Sequence, residues 1–275
     1  LETMVDTTAE WIKTRTGIEE RRIAAADQAT SDLGAEAARR ALADAGVKPE
    51  EVDMIVLGTI TPDLPFPNTA CLVQDKIGAK NAACFSVEAA CSGFVFAMEI
   101  GKQFVASGAA KTVLVVAAEK MSSIIDWQDR ETCVLFGDGA GACVLRASAE
   151  GRGLVHAVMG SNGSLAELLQ VPGGGSRLPV SEEVLRERNQ YLKMEGREVF
   201  KHAVKNMSAI ARQVVADKGL TLADVACIVP HQANMRIIEA IGQRLGEPAE
   251  KFFVNVNKYG NTSGASVIVA LDEAV

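Results

Sequence analysis

The chain repeats itself. Residues 35–46 (AEAARRALADAG) carry the apolar spacing of a helix and stop at a glycine, and residues 208–219 (SAIARQVVADKG) do the same. Each is followed by a short polar link and a β-branched run, Val52–Leu57 in the first case and Val225–Val229 in the second. Both runs lead to a second glycine-terminated helix pattern, at 68–78 and 234–246, and then to a second strand pattern, at 82–87 and 251–256. A Ser-Gly pair then opens a further helix, at Ser92-Gly93 and at Ser263-Gly264. One coincidence of this kind is chance; the whole series in matching order implies a duplicated αβαβα unit.

Helices alternating with short apolar strands imply parallel sheets covered on both faces. The expected halves are residues 1–150 and 151–275, related by a pseudo-twofold axis that carries the loop after each second strand toward a shared centre. Further strands are expected at 111–118, 141–146 and 153–160, and the stretch 170–190 reads as an irregular excursion. The second repeat stops at Val275, inside the helix that matches the one after Cys91, and 153–160 has no first-half partner. The duplication therefore predicts a chain trimmed at both ends, short of roughly 40 residues at its C-terminus and poorly soluble or nearly inactive as it stands.

Composition narrows the class. At 48% apolar and 23% charged residues the chain can bury enough surface to offset its ordering entropy, which excludes disorder. A net charge of −7 argues against broad nucleic-acid binding, and no apolar run approaches the ~20 residues of a membrane span. The six cysteines form no CxxC pair, so a reduced, cytoplasmic protein without a metal site is expected.

Cys91 lies where a strand ending at Val87 gives way to a helix pattern at Phe94, Val95 and Met98. Unpaired N–H groups and the helix dipole at such a junction are expected to draw a thiol pKa toward neutrality and make Cys91 the most readily alkylated cysteine. The plainer reading is a packed thiol, which suits Cys84 and Cys143. His231 follows the strand pattern 225–229 and Pro230, at the strand end where α/β ligand sites form. His156 falls in a strand pattern and His202 in a charged helix, and both read as structural or solvated. Asn261 holds nearly the place in the second repeat that Cys91 holds in the first. On its own Gly260-Asn261 is a turn pair, but the repeat sets Cys91, His231 and Asn261 around one pocket. Phe136–Gly141 spaces its glycines wrongly for a dinucleotide fingerprint, and Pro172–Ser176 lacks the Gly-Lys of a phosphate loop, so the first is expected to form tight turns and the second a mobile surface loop.

The strings Glu10–Ile18, Ala89–Gly93, Phe136–Ala142, Pro230–Asn234 and Gly260–Ser263 resemble, in order, the motifs of β-ketoacyl-acyl carrier protein synthase III. The resemblance implies a thiolase-like, five-layered αβαβα sandwich, a homodimer, and no cofactor beyond coenzyme A thioesters used as substrates. It implies that Cys91 accepts an acyl group, typically acetyl, from acyl-coenzyme A. His231 and Asn261 then stabilise the enolate formed when malonyl-acyl carrier protein loses carbon dioxide, the first condensation of fatty-acid synthesis. It places Trp11 and Arg130 on the coenzyme A adenine, Arg15 near its phosphates, and Lys201 and Arg236 on the acidic carrier protein. Arg244 joins them by helix spacing, since 236, 240 and 244 share a face. Phe66 matches an aromatic that crosses the dimer interface to limit the partner's acyl pocket; on sequence alone it is equally a loop anchor.

Rivals on the same fold differ in identifiable residues. A thiolase needs a second catalytic cysteine, and Cys227 precedes His231 inside a strand pattern. Elongating condensing enzymes use Cys-His-His, where this chain has Asn261. A polyketide or quinolone-type synthase shares Cys-His-Asn with other starters or acceptors. A non-catalytic binding subunit usually loses the nucleophile, which is retained here.

Overall fold

Alternation along two apolar runs dictates the layers. In Met54–Gly58 every residue is buried, Ile55 and Leu57 on one face and Met54 and Val56 on the other, so this strand needs cover on both sides. The computed structural model describes residues 1–275. Its first elements are α1 (Ala9–Thr16), α2 (Thr30–Asp44), β1 (Met54–Gly58), α3 (Thr69–Ile77), β2 (Ala83–Val87), α4 (Gly93–Ala106), β3 (Thr112–Glu119), α5 (Arg130–Cys133) and β4 (Gly139–Arg146). After these come β5 (Leu169–Gln170), α6 (Glu182–Arg186), β6 (Lys193–Met194), α7 (Gly196–Ala216), α8 (Met235–Leu245), α9 (Val256–Tyr259) and α10 (Ala265–Ala274). No helix is long and apolar enough to cross a membrane.

The chain forms two units, and both draw segments from either side of residue 150. The sheet unit comprises Arg22–Lys120, Asp138–Ala157 and Thr262–Val275. Its sheet has the order β2-β1-β3-β4, with β1 parallel to β2 and β3, and β4 antiparallel to β3. Helices α2 and α3 cover one face, where Ala38, Leu42, Val73 and Ile77 pack on Ile55, Leu57, Leu114 and Val116. Helices α4 and α10 cover the other, where Phe94, Ala97, Ala265 and Ile268 pack on Val56, Val113 and Val115. Each Val, Leu, Ile or Phe side chain among these stabilises the unit by about 1.5–3 kcal/mol on burial. The glycines of Phe136–Gly141 are not only turns: Gly139 and Gly141 belong to β4, and a Cβ on Gly141 would meet Ile268 at 2.5 Å. Close helix approach, and not turning, requires glycine there.

The second unit comprises Leu1–Arg21, Met121–Gly137 and Val158–Asn261. Its core is the α7–α8 pair, with Ile237, Ile238, Ile241 and Leu245 against Val204, Met207, Ala211 and Val215, closed by Leu222 and Phe252. The strand patterns read at 225–229 and 251–256 reduce to one parallel bridge, Ile228 with Phe252, and Val256 instead opens α9. The run 153–160 forms no strand either, and Val155 is exposed. β-Branched residues suit a pleated surface, but a strand persists only where neighbours supply a ladder, and an isolated pair is marginal. Pro172–Ser176 lies at the surface, with Gly174–Ser176 exposed, Gly173 N–H donating to Asn189 O at 2.7 Å and Gly174 N–H to Leu178 O at 2.8 Å.

Candidate active site

Cys91 sits in the sheet unit, in a 3-10 turn, Ala90–Ser92, between β2 and α4. Backbone packing places this turn. A Cβ on Gly58, at the end of β1, would stand 2.8 Å from the Gly93 carbonyl carbon, and one on Gly264 would stand 2.8 Å from Ala90 O. Three backbone segments therefore meet where no side chain fits. Ala90 (φ 45°) and Ser263 (φ 49°) both adopt left-handed backbone on either side of this contact. Such conformations in residues with a Cβ cost on the order of 1–2 kcal/mol each and persist only where surrounding packing imposes them.

The thiol does not behave as the junction predicts. Burial pushes Cys91 up to about 11; the Ser263 side chain and the residue's own N–H favour the thiolate, while Glu119 disfavours it. The helix-dipole expectation fails because a 3-10 turn precedes α4 and because desolvation outweighs one or two donors. Burial likewise pushes Cys84 up to about 12 and Cys143 to about 11. Cys227 is exposed and lies outside any strand, which removes the physical basis for ranking Cys91 first in alkylation.

His231 and Asn261 both belong to the second unit. His231 is drawn down to about 4 by burial, so its imidazole is neutral near pH 7 and offers one N–H donor. Its neighbour Gln232, 1% exposed, fixes the loop. Gln232 Nε2 donates to Pro230 O (2.9 Å) and Phe253 O (3.1 Å), and its Oε1 accepts from Asn255 N–H (2.9 Å) and Val256 N–H (3.1 Å). Every polar atom of the amide is thereby used, which is why a polar residue can be fully buried here. Asn261 is buried, and its N–H donates to Leu135 O at 2.9 Å while its carbonyl accepts from Gly137 N–H at 3.1 Å. Gly260 (φ 66°) must be glycine, because a Cβ would lie 2.9 Å from Leu135 O.

The residues expected to meet coenzyme A and the carrier protein all reach the surface. The Arg130 guanidinium carbon lies 4.1 Å from the Trp11 ring centroid. Arg15 is exposed one helical turn along α1 from Trp11. Lys201 pairs with Glu198 at 2.6 Å, and Arg236 and Arg244 are exposed on α8 with Glu239 between them. Phe66, in the sheet unit, is 87% exposed, so its ring anchors no loop within this chain.

Two residues escaped the sequence reading. One is Gln232, whose only signal was its place beside His231. The other is Glu119, wholly inaccessible at the end of β3. Thr61 Oγ1 donates to its carboxyl at 2.7 Å, and Thr59 Oγ1 and Ile60 N–H each at 3.1 Å, yet burial still pushes it up to about 7. A lone acidic residue closing the buried run Thr112–Glu119 was the available signal.

The profile for 3-oxoacyl-[acyl-carrier-protein (ACP)] synthase III matches residues 85–163, and that for its C-terminal region matches residues 215–275. The beta-ketoacyl-[acyl-carrier-protein] synthase III of Caldanaerobacter subterraneus subsp. tengcongensis is 53% identical over 274 residues, covering 100% of this chain and 83% of the relative. The chain belongs to the β-ketoacyl-acyl carrier protein synthase III family. Its fold agrees: the crystal structure of the Aquifex aeolicus VF5 3-oxoacyl-[acyl-carrier-protein] synthase III matches with a TM-score of 0.91 at 47% identity, covering 99% of this chain and 83% of that one. The priming β-ketosynthase of the R1128 polyketide biosynthetic pathway matches with a TM-score of 0.87 at 39% identity, covering 99% and 81%. The fold is thiolase-like α/β, and the chain is an acyltransferase of the family that initiates fatty-acid synthesis.

Proposed function

We propose that Cys91, His231 and Asn261 are the catalytic set of a decarboxylative Claisen condensation between an acyl-coenzyme A, acetyl-coenzyme A by preference, and malonyl-acyl carrier protein. The observation that supports the reading is family membership across the whole chain, with Cys91, His231 and Asn261 lying in strings that resemble the family's motifs. The Cys91 sulfur attacks the acyl thioester; coenzyme A leaves as its thiol with the proton, and an S-acyl enzyme remains. Loss of carbon dioxide from the malonyl thioester then yields an enolate, whose carbon attacks acyl-Cys91. The 3-ketoacyl thioester forms and the Cys91 sulfur is released. A neutral His231 supports the second step, because an uncharged imidazole donates to the developing oxyanion without protonating the carbanion outright. No metal or resident cofactor enters these steps.

Trp11, Arg15 and Arg130 form the coenzyme A surface in this reading, a stacked indole and guanidinium suiting an adenine and a free Arg suiting phosphate. Lys201, Arg236 and Arg244 face the acidic carrier protein. The exposed Phe66 and the edge position of β2 support a homodimer in which Phe66 reaches the partner's acyl pocket. We place the reaction in the cytoplasm, where coenzyme A thioesters are available and thiols stay reduced.

Intact mass after incubation with a panel of acyl-coenzyme A thioesters tests the first step. An added acetyl group that disappears in Cys91→Ala is the expected result; no adduct from any thioester refutes it. The similarity to the R1128 enzyme favours a second reading, priming of a polyketide pathway. Comparison of fatty-acid and polyketide carrier proteins as malonyl donors separates the two.

A further inference from the structure

We propose that Asp126 and Arg188 are positioning residues for coenzyme A recognition: their bidentate ion pair fixes the turn before α5 and so holds the Arg130 guanidinium over Trp11. This role rests on the reading of Trp11 and Arg130 as the coenzyme A adenine surface and adds two residues to it.

All the groups involved lie in the second unit. Trp11 sits on α1, and Arg130 opens the four-residue α5. The carboxylate that faces the Arg130 side chain, on fully exposed Asp6, is 4.0 Å away. An exposed pair at that distance contributes little. The 4.1 Å stack of Arg130 on Trp11 therefore depends on where the backbone of α5 begins.

That beginning is set by hydrogen bonds one residue after another. Asp129 caps α5, its Oδ1 accepting from Glu131 N–H at 2.9 Å and its Oδ2 from Thr132 Oγ1 at 2.6 Å. Asp129 is held by Asp126, whose carbonyl accepts from Asp129 N–H at 3.0 Å. The Asp126 carboxyl closes the same turn, with Oδ1 accepting from Gln128 N–H at 2.8 Å. Asp126 is 4% exposed, and a carboxylate so buried needs a charged partner. Arg188 is that partner. Its Nη2 donates to Asp126 Oδ1 at 2.5 Å and its Nε to Oδ2 at 2.7 Å. A fork on both oxygens fixes the plane of the carboxyl, and with it the bond to Gln128. The guanidinium also holds the Asp126 carboxyl below the usual carboxylate range, so the pair is ionised at neutral pH.

The irregular stretch after β5 is folded to present Arg188. The residue adopts left-handed backbone (φ 56°), with its N–H donating to Leu185 O at 3.2 Å. A residue with a Cβ keeps that conformation only where its surroundings impose it. The Tyr191 ring backs the guanidinium at 5.0 Å. Leu192 N–H donates to Ile124 O at 2.8 Å and ties the same two segments a second time. Cutting the ion pair should therefore loosen the turn without separating the segments. The relay runs from Arg188 through Asp126, Gln128 and Asp129 to Arg130, so loosening it should weaken the hold on the adenine and leave the chemistry of the thioester unchanged.

Fluorine NMR of the full chain labelled with 5-fluorotryptophan reads the stack without substrate. The two tryptophans, Trp11 and Trp127, give two resonances, which Trp11→Phe assigns. In Arg188→Ala the Trp11 resonance is expected to move toward its position in Arg130→Ala. Arg188→Lys, which keeps the charge without the fork, should fall between. In Arg188→Ala the KM for acetyl-coenzyme A should rise about two- to tenfold, the scale of a cation lost from an indole, with kcat retained. The KM for acetyl-pantetheine, which lacks the nucleotide, should not change, and Arg188→Ala should add nothing to the effect of Arg130→Ala. A pair that only supports the fold would lower kcat or raise both KM values alike. An unmoved Trp11 resonance, equal effects on the two thioesters, or losses that add in the double variant overturns the proposal. Circular dichroism checks folding, and if Arg188→Ala does not fold, Asp126→Asn, which loses the ion pair and keeps an acceptor for Gln128 N–H, is read in the same way. If Arg130→Ala itself leaves the KM for acetyl-coenzyme A unchanged while the resonance moves in Arg188→Ala, the coenzyme A reading fails and the positioning of Arg130 stands.

Discussion

A side-chain carbon on Gly264 would stand 2.8 Å from the carbonyl oxygen of Ala90, the residue before Cys91. The start of α10, far along the chain, thereby sets the turn that carries the thiol. Gly264→Ala is expected to shift that turn, destabilise the sheet unit by about 1–3 kcal/mol and slow acyl loading. Thermal denaturation and single-turnover loading measure the two effects. Unchanged loading in a folded variant would show that the contact does not place Cys91.

Trp11→Ala removes the ring under Arg130. A stacked cation and indole contribute about 0.5–2 kcal/mol, so the KM for acetyl-coenzyme A should rise roughly 3- to 30-fold. A short thioester lacking the nucleotide should be used as well as by the wild type. Equal losses with both substrates would remove Trp11 from nucleotide recognition.

His231→Ala and Asn261→Ala should separate the half-reactions. Loss of a donor to a developing oxyanion costs ~100-fold or more, so malonyl decarboxylation should fall by that factor. Transfer of acetyl to Cys91 should suffer less. Equal damage to both steps would contradict the division of roles.

Arg236→Glu should weaken use of malonyl-acyl carrier protein while sparing acetyl-coenzyme A loading. The charge acts mainly on encounter rate, so the defect should shrink as salt rises. A loss indifferent to salt, or shared by both substrates, would exclude a carrier-protein contact.

Glu119 also affects stability. Its carboxyl titrates at about 7 folded against 4.5 unfolded, so between these values the unfolded chain has already released a proton that the folded chain retains. Stability from this group is fully present below pH 4.5 and is lost as pH rises through 7, by on the order of 3 kcal/mol. Glu119→Gln should therefore gain in Tm relative to the wild type between pH 5 and pH 8. A Tm difference that is flat with pH would show that the group is ionised throughout.

The sequence by itself determined the longer helices α2, α3, α4, α8 and α10 and the first sheet. Glycine stops at Gly78 and Gly246 end α3 and α8 in left-handed caps, and the runs read at 52–57 and 111–118 became β1 and β3. It also singled out Cys91, His231 and Asn261, from a strand end before the thiol, an apolar run before the histidine and an internal repeat. Tertiary structure decided what those patterns could not carry. Runs 225–229 and 251–256 have strand composition, yet a ladder needs partners that composition does not specify. The thiol of Cys91 stands at a helix junction, yet desolvation by distant segments sets its proton affinity. Glu119 acquires its properties from burial and from Thr59 and Thr61, residues about 60 positions away in the chain, which only packing brings to it. Periodicity and capping act between neighbours in sequence; burial and charge depend on neighbours in space.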